Sequence, residues 1–167
     1  MTKSSRQFRL GLLINPYAGV GGPAANKGSD DERIQALARA GELPLTAARR
    51  AQSFFDHLVV PENCTLTLVT VPGPMGEDVV ANGRWTVELT GFRPAEHTTA
   101  LDTQNATQAL AARRLDLLVF VGGDGTARDV CSVVPPHQPA LGVPAGVKMH
   151  SGVYAINPQA AAELVSL

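Results

Sequence analysis

Leu115-Asp116-Leu117-Leu118-Val119-Phe120-Val121 runs straight into Gly122-Gly123-Asp124-Gly125-Thr126, and this junction decides the fold. The first seven residues are almost continuously apolar, as in a strand buried on both faces of a parallel sheet. Three glycines then open a turn, and a helical pattern follows from Thr126 to Ser132. A buried strand, a glycine turn and a helix in that order put the turn where a parallel α/β sheet holds its ligands, outside the carboxyl ends of its strands.

Working outward, the same grammar repeats. Phe8 to Asn15 is a second unalternated apolar run and ends in a Pro/Gly-rich loop, Pro16 to Pro23. Helical patterns over Asp30–Ala40 and Thr46–Leu58 follow, the latter with Pro44 and Thr46 as start signals. Cys64–Thr70 alternates and is β-branched, so it reads as a strand. Pro72-Gly73-Pro74 breaks the chain before a short helix over Gly76–Asn82, and Trp85–Leu89 reads as another strand. Asp102 is placed to cap a helix running to Arg114. A short strand over Ala140–Val143, a loop, a strand-like segment over Gly152–Ile156 and a helix from Pro158 complete the chain. The fold class is therefore α/β: a Rossmann-like, doubly wound, mostly parallel sheet with helices on both faces.

Composition bounds the function. At 167 residues, 44% hydrophobic and 17% charged, the chain is globular and long enough for one domain with its own core. Its 14 basic and 15 acidic side chains leave a net charge of −1, which argues against a broad nucleic-acid or membrane footprint. Small anions remain open, because they need only a local site. Cys64 and Cys131 have no metal-like partner nearby, and the four histidines are scattered, so no zinc site is expected. No signal peptide or transmembrane span is legible, which makes the cytoplasm the default location. The helix from Pro158 meets the last residue without a glycine cap or polar tail, so residues 1–167 read as one domain cut from a longer protein.

The glycine turn has a clear chemistry. Without Cβ atoms, backbone N–H groups approach phosphate oxygens closely, and the helix N-terminus adds a dipole favourable to anions. Asp124 then stands beside the phosphates as a carboxylate able to accept a proton from a hydroxyl, and Thr126 either donates a hydrogen bond or caps the helix. The plainer alternative, an Asp-Gly turn that only connects strand to helix, leaves three glycines unexplained. Gly19-Val20-Gly21-Gly22-Pro23-Ala24 matches the dinucleotide fingerprint formally, but Pro23 and Gly28 interrupt its helix and no acidic residue follows the next strand, so a hydride-transfer site is not expected. That loop is either a phosphate loop or a surface connection. In Gly142–Gly152, Lys148 offers charge for a phosphate, and His150 or Ser151 a hydrogen bond. Arg128 and Asp129 read as an ion pair or helix-dipole residues, and His97–Thr103 as a capping sequence.

Gly122-Gly123-Asp124-Gly125-Thr126 with Asn15-Pro16-Tyr17-Ala18-Gly19 resembles the superfamily of NAD kinases, diacylglycerol kinases and sphingosine kinases. Thr98–Thr103, Gly122–Asp129 and Gly142–His150 make the chain similar to the bacterial ATP-NAD kinase-like branch. The resemblance implies an N-terminal α/β domain and a C-terminal β-rich domain, with the active site between them; that second domain is missing from these residues. It implies ATP, or polyphosphate in some members, as phosphoryl donor, with a divalent metal such as Mg2+ whose ligands are not identifiable here. The implied acceptor is the 2′-hydroxyl of NAD. Asp124 becomes the base. Gly122, Gly123, Gly125, Thr126, Asn15 and Lys148 become the nucleotide-binding set, and homo-oligomers are expected. NAD kinases also carry an Asn-Glu or Asn-Asp pair that holds the NAD, and this chain has neither. The chain alone is therefore expected to bind nucleotide and not to turn over. Two alternatives stand beside this reading: a lipid kinase-like domain acting on diacylglycerol or sphingoid bases, and a non-catalytic nucleotide-sensing domain.

Overall fold

A computed structural model describes residues 5–20, 32–146 and 149–166. Five strands, β1 (Arg6–Ile14), β2 (Cys64–Thr70), β3 (Thr86–Leu89), β4 (Leu117–Gly122) and β5 (Ala140–Pro144), form one sheet in the order β3-β2-β1-β4-β5. Every pairing is parallel. Among the described residues five α-helices lie between the strands, α1 (Glu32–Arg39), α2 (Thr46–His57), α3 (Glu77–Val80), α4 (Ala100–Ala111) and α5 (Asp124–Val133), and α6 (Pro158–Val165) follows β5.

The apolar runs feed two cores because successive side chains point to opposite faces. In β1, Leu10, Leu12 and Ile14 join one cluster while Leu13 joins the other; in β4, Val119 and Val121 part from Leu118 and Phe120 in the same way. The first face is covered by α2, through Ala47, Ala51, Phe54 and Phe55, and by α6, through Ala161, Ala162 and Val165. The second is covered by α4, through Ala106 and Leu110, and by α5, through Ala127 and Val130. Phe54 and Phe55 are almost wholly buried, each contributing about 1.5–3 kcal/mol. Arg9 braces the amino-terminal half of the sheet, its guanidinium donating two hydrogen bonds to Glu88 at 3.0 and 2.8 Å across the intervening β2.

The chain folds to both sides of β1, so the strand order reverses between β1 and β4, and the crevice at their carboxyl ends is the topological switch point. Register sets the loops there level with one another. Ile14 pairs with Val121 and Gly122 with Pro144. Backbone bonds from Asn15 N–H to the Val121 carbonyl (3.0 Å) and from Ala145 N–H to the Gly122 carbonyl (2.9 Å) carry the ladder one residue further.

Three expectations need correction. The glycine-turn helix begins at Asp124, two residues before Thr126, with Gly123 as its N-cap, so the carboxylate belongs to the first helical turn. The helix after His97 begins at Ala100 with Thr99 as N-cap and ends at Ala111; Asp102 sits at its third position, where its carboxylate accepts from the Thr99 N–H (2.9 Å), the Thr99 hydroxyl (3.0 Å) and the Ala95 N–H (3.0 Å). Gly152–Ile156 forms no full strand. It makes a single parallel bridge, Tyr154 to Gly142, before the chain turns into the Asn157 cap of α6. Among the described residues no helix is long and apolar enough to cross a membrane.

Candidate functional site

Three loops converge at the switch point. The first follows β1. Asn15 accepts the Tyr17 N–H on its side-chain oxygen (3.2 Å), a local turn that also brings the Ala18 N–H to the Asn15 carbonyl. Its amide nitrogen donates to the Thr126 hydroxyl at 3.0 Å. Gly19 takes φ = +76°, and any side chain there would also meet the Ala145 carbonyl, so glycine locks this loop against the one after β5. Gly21, Gly22 and Pro23 lie outside the described residues, as does Lys148, the cation expected to neutralise phosphate.

The second loop is the glycine turn, and its three glycines do different work. A Cβ on Gly122 would collide with the Thr126 side chain, whose own hydroxyl accepts both Asn15 and, at 3.4 Å, the Gly123 N–H. Thr126 is 3% exposed. Its hydroxyl is thus a bracket between the loops after β1 and β4. A Cβ on Gly123 or Gly125 would meet nothing within 4 Å, and neither has a positive φ. The fold does not require glycine at those two positions; a close-lying ligand would.

The third loop follows β5 and supplies what the sequence did not single out as a unit. Asp124 Oδ1 accepts the Ser151 hydroxyl at 2.7 Å, the Ser151 N–H at 2.9 Å and the His150 N–H at 3.1 Å; Oδ2 accepts the His150 N–H at 3.0 Å. The Ser151 hydroxyl above all, with those N–H groups, holds the Asp124 carboxyl below its ordinary range despite some opposing burial. Four contacts fix the carboxylate's direction and leave Oδ2 the less occupied oxygen. Tyr154 donates its hydroxyl to the Gly123 carbonyl at 2.5 Å and packs edge-on against Phe120, with ring centroids 5.5 Å apart. Burial, followed by the nearby negative charge of Asp124, pushes the Tyr154 hydroxyl well above its usual range, so it stays protonated and remains a donor. Nothing in the local sequence marks Tyr154 apart from an aromatic near the end of the β5 loop.

The structure therefore brings Asn15, Gly122, Gly123, Asp124, Gly125 and Thr126 together, with Ser151 and Tyr154 added. A shallow depression of about 440 Å³ opens beside Asp124, lined by Asp124, Ala127, Arg128, Cys131, His150 and Ser151. A model of the ATP-NAD kinase N-terminal domain matches residues 10–167. The chain belongs to the ATP-NAD kinase family. That membership agrees with the parallel sheet and with a glycine turn at its switch point, and it carries a kinase-type, nucleotide-handling role at the level of the family. No curated protein and no solved structure matches the chain.

Proposed function

We propose that this chain is the nucleotide-binding half of an ATP-dependent NAD kinase-like enzyme that transfers a phosphoryl group to the 2′-hydroxyl of NAD(H). The observation that supports it most is the pairing of an oriented, ionised Asp124 with two glycines, Gly123 and Gly125, that face open space. In the first half of the reaction, N–H groups of the turn receive phosphate oxygens at the start of α5, where the helix dipole favours negative charge. Asp124 Oδ2 accepts a hydrogen bond from the acceptor hydroxyl and aims its oxygen at the γ-phosphorus. As the new O–P bond forms, the terminal P–O bond of ATP breaks, ADP leaves, and the hydroxyl proton passes to Asp124. A carboxylate of lowered basicity suits this reaction, because phosphoryl transfer depends on positioning and charge neutralisation more than on base strength. Among the described residues no group of three His, Cys, Asp or Glu could hold a metal ion, so a divalent cation here would be carried chiefly by the ligand phosphates.

A second reading, a nucleotide-sensing domain without turnover, is favoured by the same saturation of Asp124: four hydrogen bonds leave a weak proton acceptor. The test takes the full-length protein with Mg2+, ATP or polyphosphate, and a panel of NAD, NADH, diacylglycerol and sphingosine, followed by mass spectrometry. NADP or NADPH supports the proposal, and phosphorylated lipid would move the protein to the lipid kinase branch. Nucleotide binding by calorimetry without any product selects the sensor. Asp124→Asn lowers the rate about 10²–10⁴-fold if Asp124 is the base, and an unchanged rate removes it from that role.

A further inference from the structure

The depression beside Asp124 runs along one face of α5, because Asp124, Arg128 and Cys131 are spaced four and three residues apart. Ala127, His150 and Ser151 complete its lining. Arg128 is the cation of this lining; its guanidinium is exposed, and among the described residues it has no hydrogen-bond or ion-pair partner. A depression of this size falls within the usual range for small-molecule sites.

We infer that this α5 face is the acceptor subsite, and that Arg128 binds the phosphate of a phosphorylated sugar whose hydroxyl lies on Asp124. The inference rests on the reading of Asp124 as the group that meets an acceptor hydroxyl. Four residues of helix separate the two side chains by about 6 Å along the axis. A single ligand reaching both must therefore carry a hydroxyl and an anionic group about one helical turn apart, as a ribose 5′-phosphate does. The negative charge of Asp124 does not bar that anion. Its carboxylate is already engaged by Ser151 and His150 donors, and the guanidinium stands one turn away, with fork geometry that matches phosphate oxygens. The glycine turn is then left for the donor phosphates. Arg128 thereby discriminates nucleotides from nucleosides at the acceptor position.

Cys131 makes the subsite measurable. It is a free, exposed thiol in the same lining, while Cys64, half-buried at the opposite end of the sheet, serves as internal reference. The 167-residue chain is alkylated with iodoacetamide in the presence of 5′-AMP or adenosine, and each cysteine is followed by peptide mass spectrometry, with calorimetry in parallel. AMP is expected to half-protect Cys131 at a concentration about tenfold or more below that of adenosine, the effect of one charge-assisted contact, with Cys64 unaffected. Arg128→Ala should erase the difference without moving the thermal unfolding curve, and Arg128→Lys should restore part of it. Equal protection by AMP and adenosine, or an AMP preference that survives Arg128→Ala, overturns the inference. AMP binding by calorimetry with Cys131 unprotected also overturns it and leaves the kinase reading standing. Absence of AMP binding, together with absence of any phosphorylated product from the full-length protein, overturns both.

Discussion

The three glycines of the turn should separate cleanly when each is given a side chain. At Gly122 the added Cβ meets Thr126, which is held from behind by Asn15 and cannot rotate away without losing its hydrogen bonds. Overpacking of this kind costs about 1–3 kcal/mol, and losing the 3.0 Å Asn15–Thr126 bond adds about 1 kcal/mol. Gly122→Ala should therefore destabilise by about 2–4 kcal/mol. For a chain of this size that lowers Tm by roughly 5–15 °C. Gly125→Ala meets no atom within 4 Å and lies inside α5, so it should be neutral or stabilise by up to about 1 kcal/mol. Gly123→Ser places a favoured N-cap residue in equally open space and should also leave the fold intact. Binding should follow the opposite order. A side chain at 123 or 125 occupies the space of a bound phosphate and forfeits a charge-assisted bond, which weakens nucleotide binding about 10–100-fold. Urea unfolding by circular dichroism and calorimetric titration with ATP and NAD read the two effects separately. A Gly122→Ala variant within 0.5 kcal/mol of the parent, an effect of roughly surface size, would refute the steric argument. Unimpaired binding by Gly123→Ser and Gly125→Ala would refute the assignment of the turn to phosphate.

Other residues carry more local expectations. Removing the Tyr154 hydroxyl with Tyr154→Phe strips the Gly123 carbonyl of one donor and frees the loop after β5, and should cost about 1 kcal/mol in chemical denaturation with a parallel loss of nucleotide affinity. Ser151→Ala deletes the largest cause of the lowered Asp124 pKa, so the carboxyl should move back toward its ordinary value, visible by NMR titration of the side-chain carbon. Because the folded-state value of Asp124 is depressed, its stabilising contacts are fully present above about pH 4 and lost as pH falls through the lower folded value; the Ser151→Ala protein should lose them at a higher pH than the parent. Asp102→Ala should cost about 1 kcal/mol through the lost cap of α4. Burial raises the Asp102 carboxyl, but its hydrogen bonds from Ala95 and Thr99 together outweigh that and hold it below its ordinary range, so this difference should persist at neutral pH and be lost as pH falls through the lowered folded-state value.

The sequence by itself determined the architecture, because its signals are local. Continuous apolar runs at Phe8–Asn15 and Leu115–Val121 demand burial on both faces, and helical periods between strands demand parallel crossovers, so the α/β class follows. The ligand turn was legible for the same reason: three glycines and an aspartate sit between a buried strand and a helix within a few residues. Strand order was not legible, since the step from β3 past β2 and β1 to pair β4 with β1 is decided by how the two faces are covered. Nor could the sequence show that Thr126 works inward. Its partner Asn15 is 111 residues away, and only the register of β1 on β4 brings them level. The donors that orient Asp124 stand 26 and 27 residues beyond it, and the Tyr154 that braces Gly123 stands 31 beyond. Those contacts have no periodicity to betray them. They exist because β5 lies beside β4 and returns its loop over the start of α5, so the state of the carboxylate is a property of the tertiary structure alone.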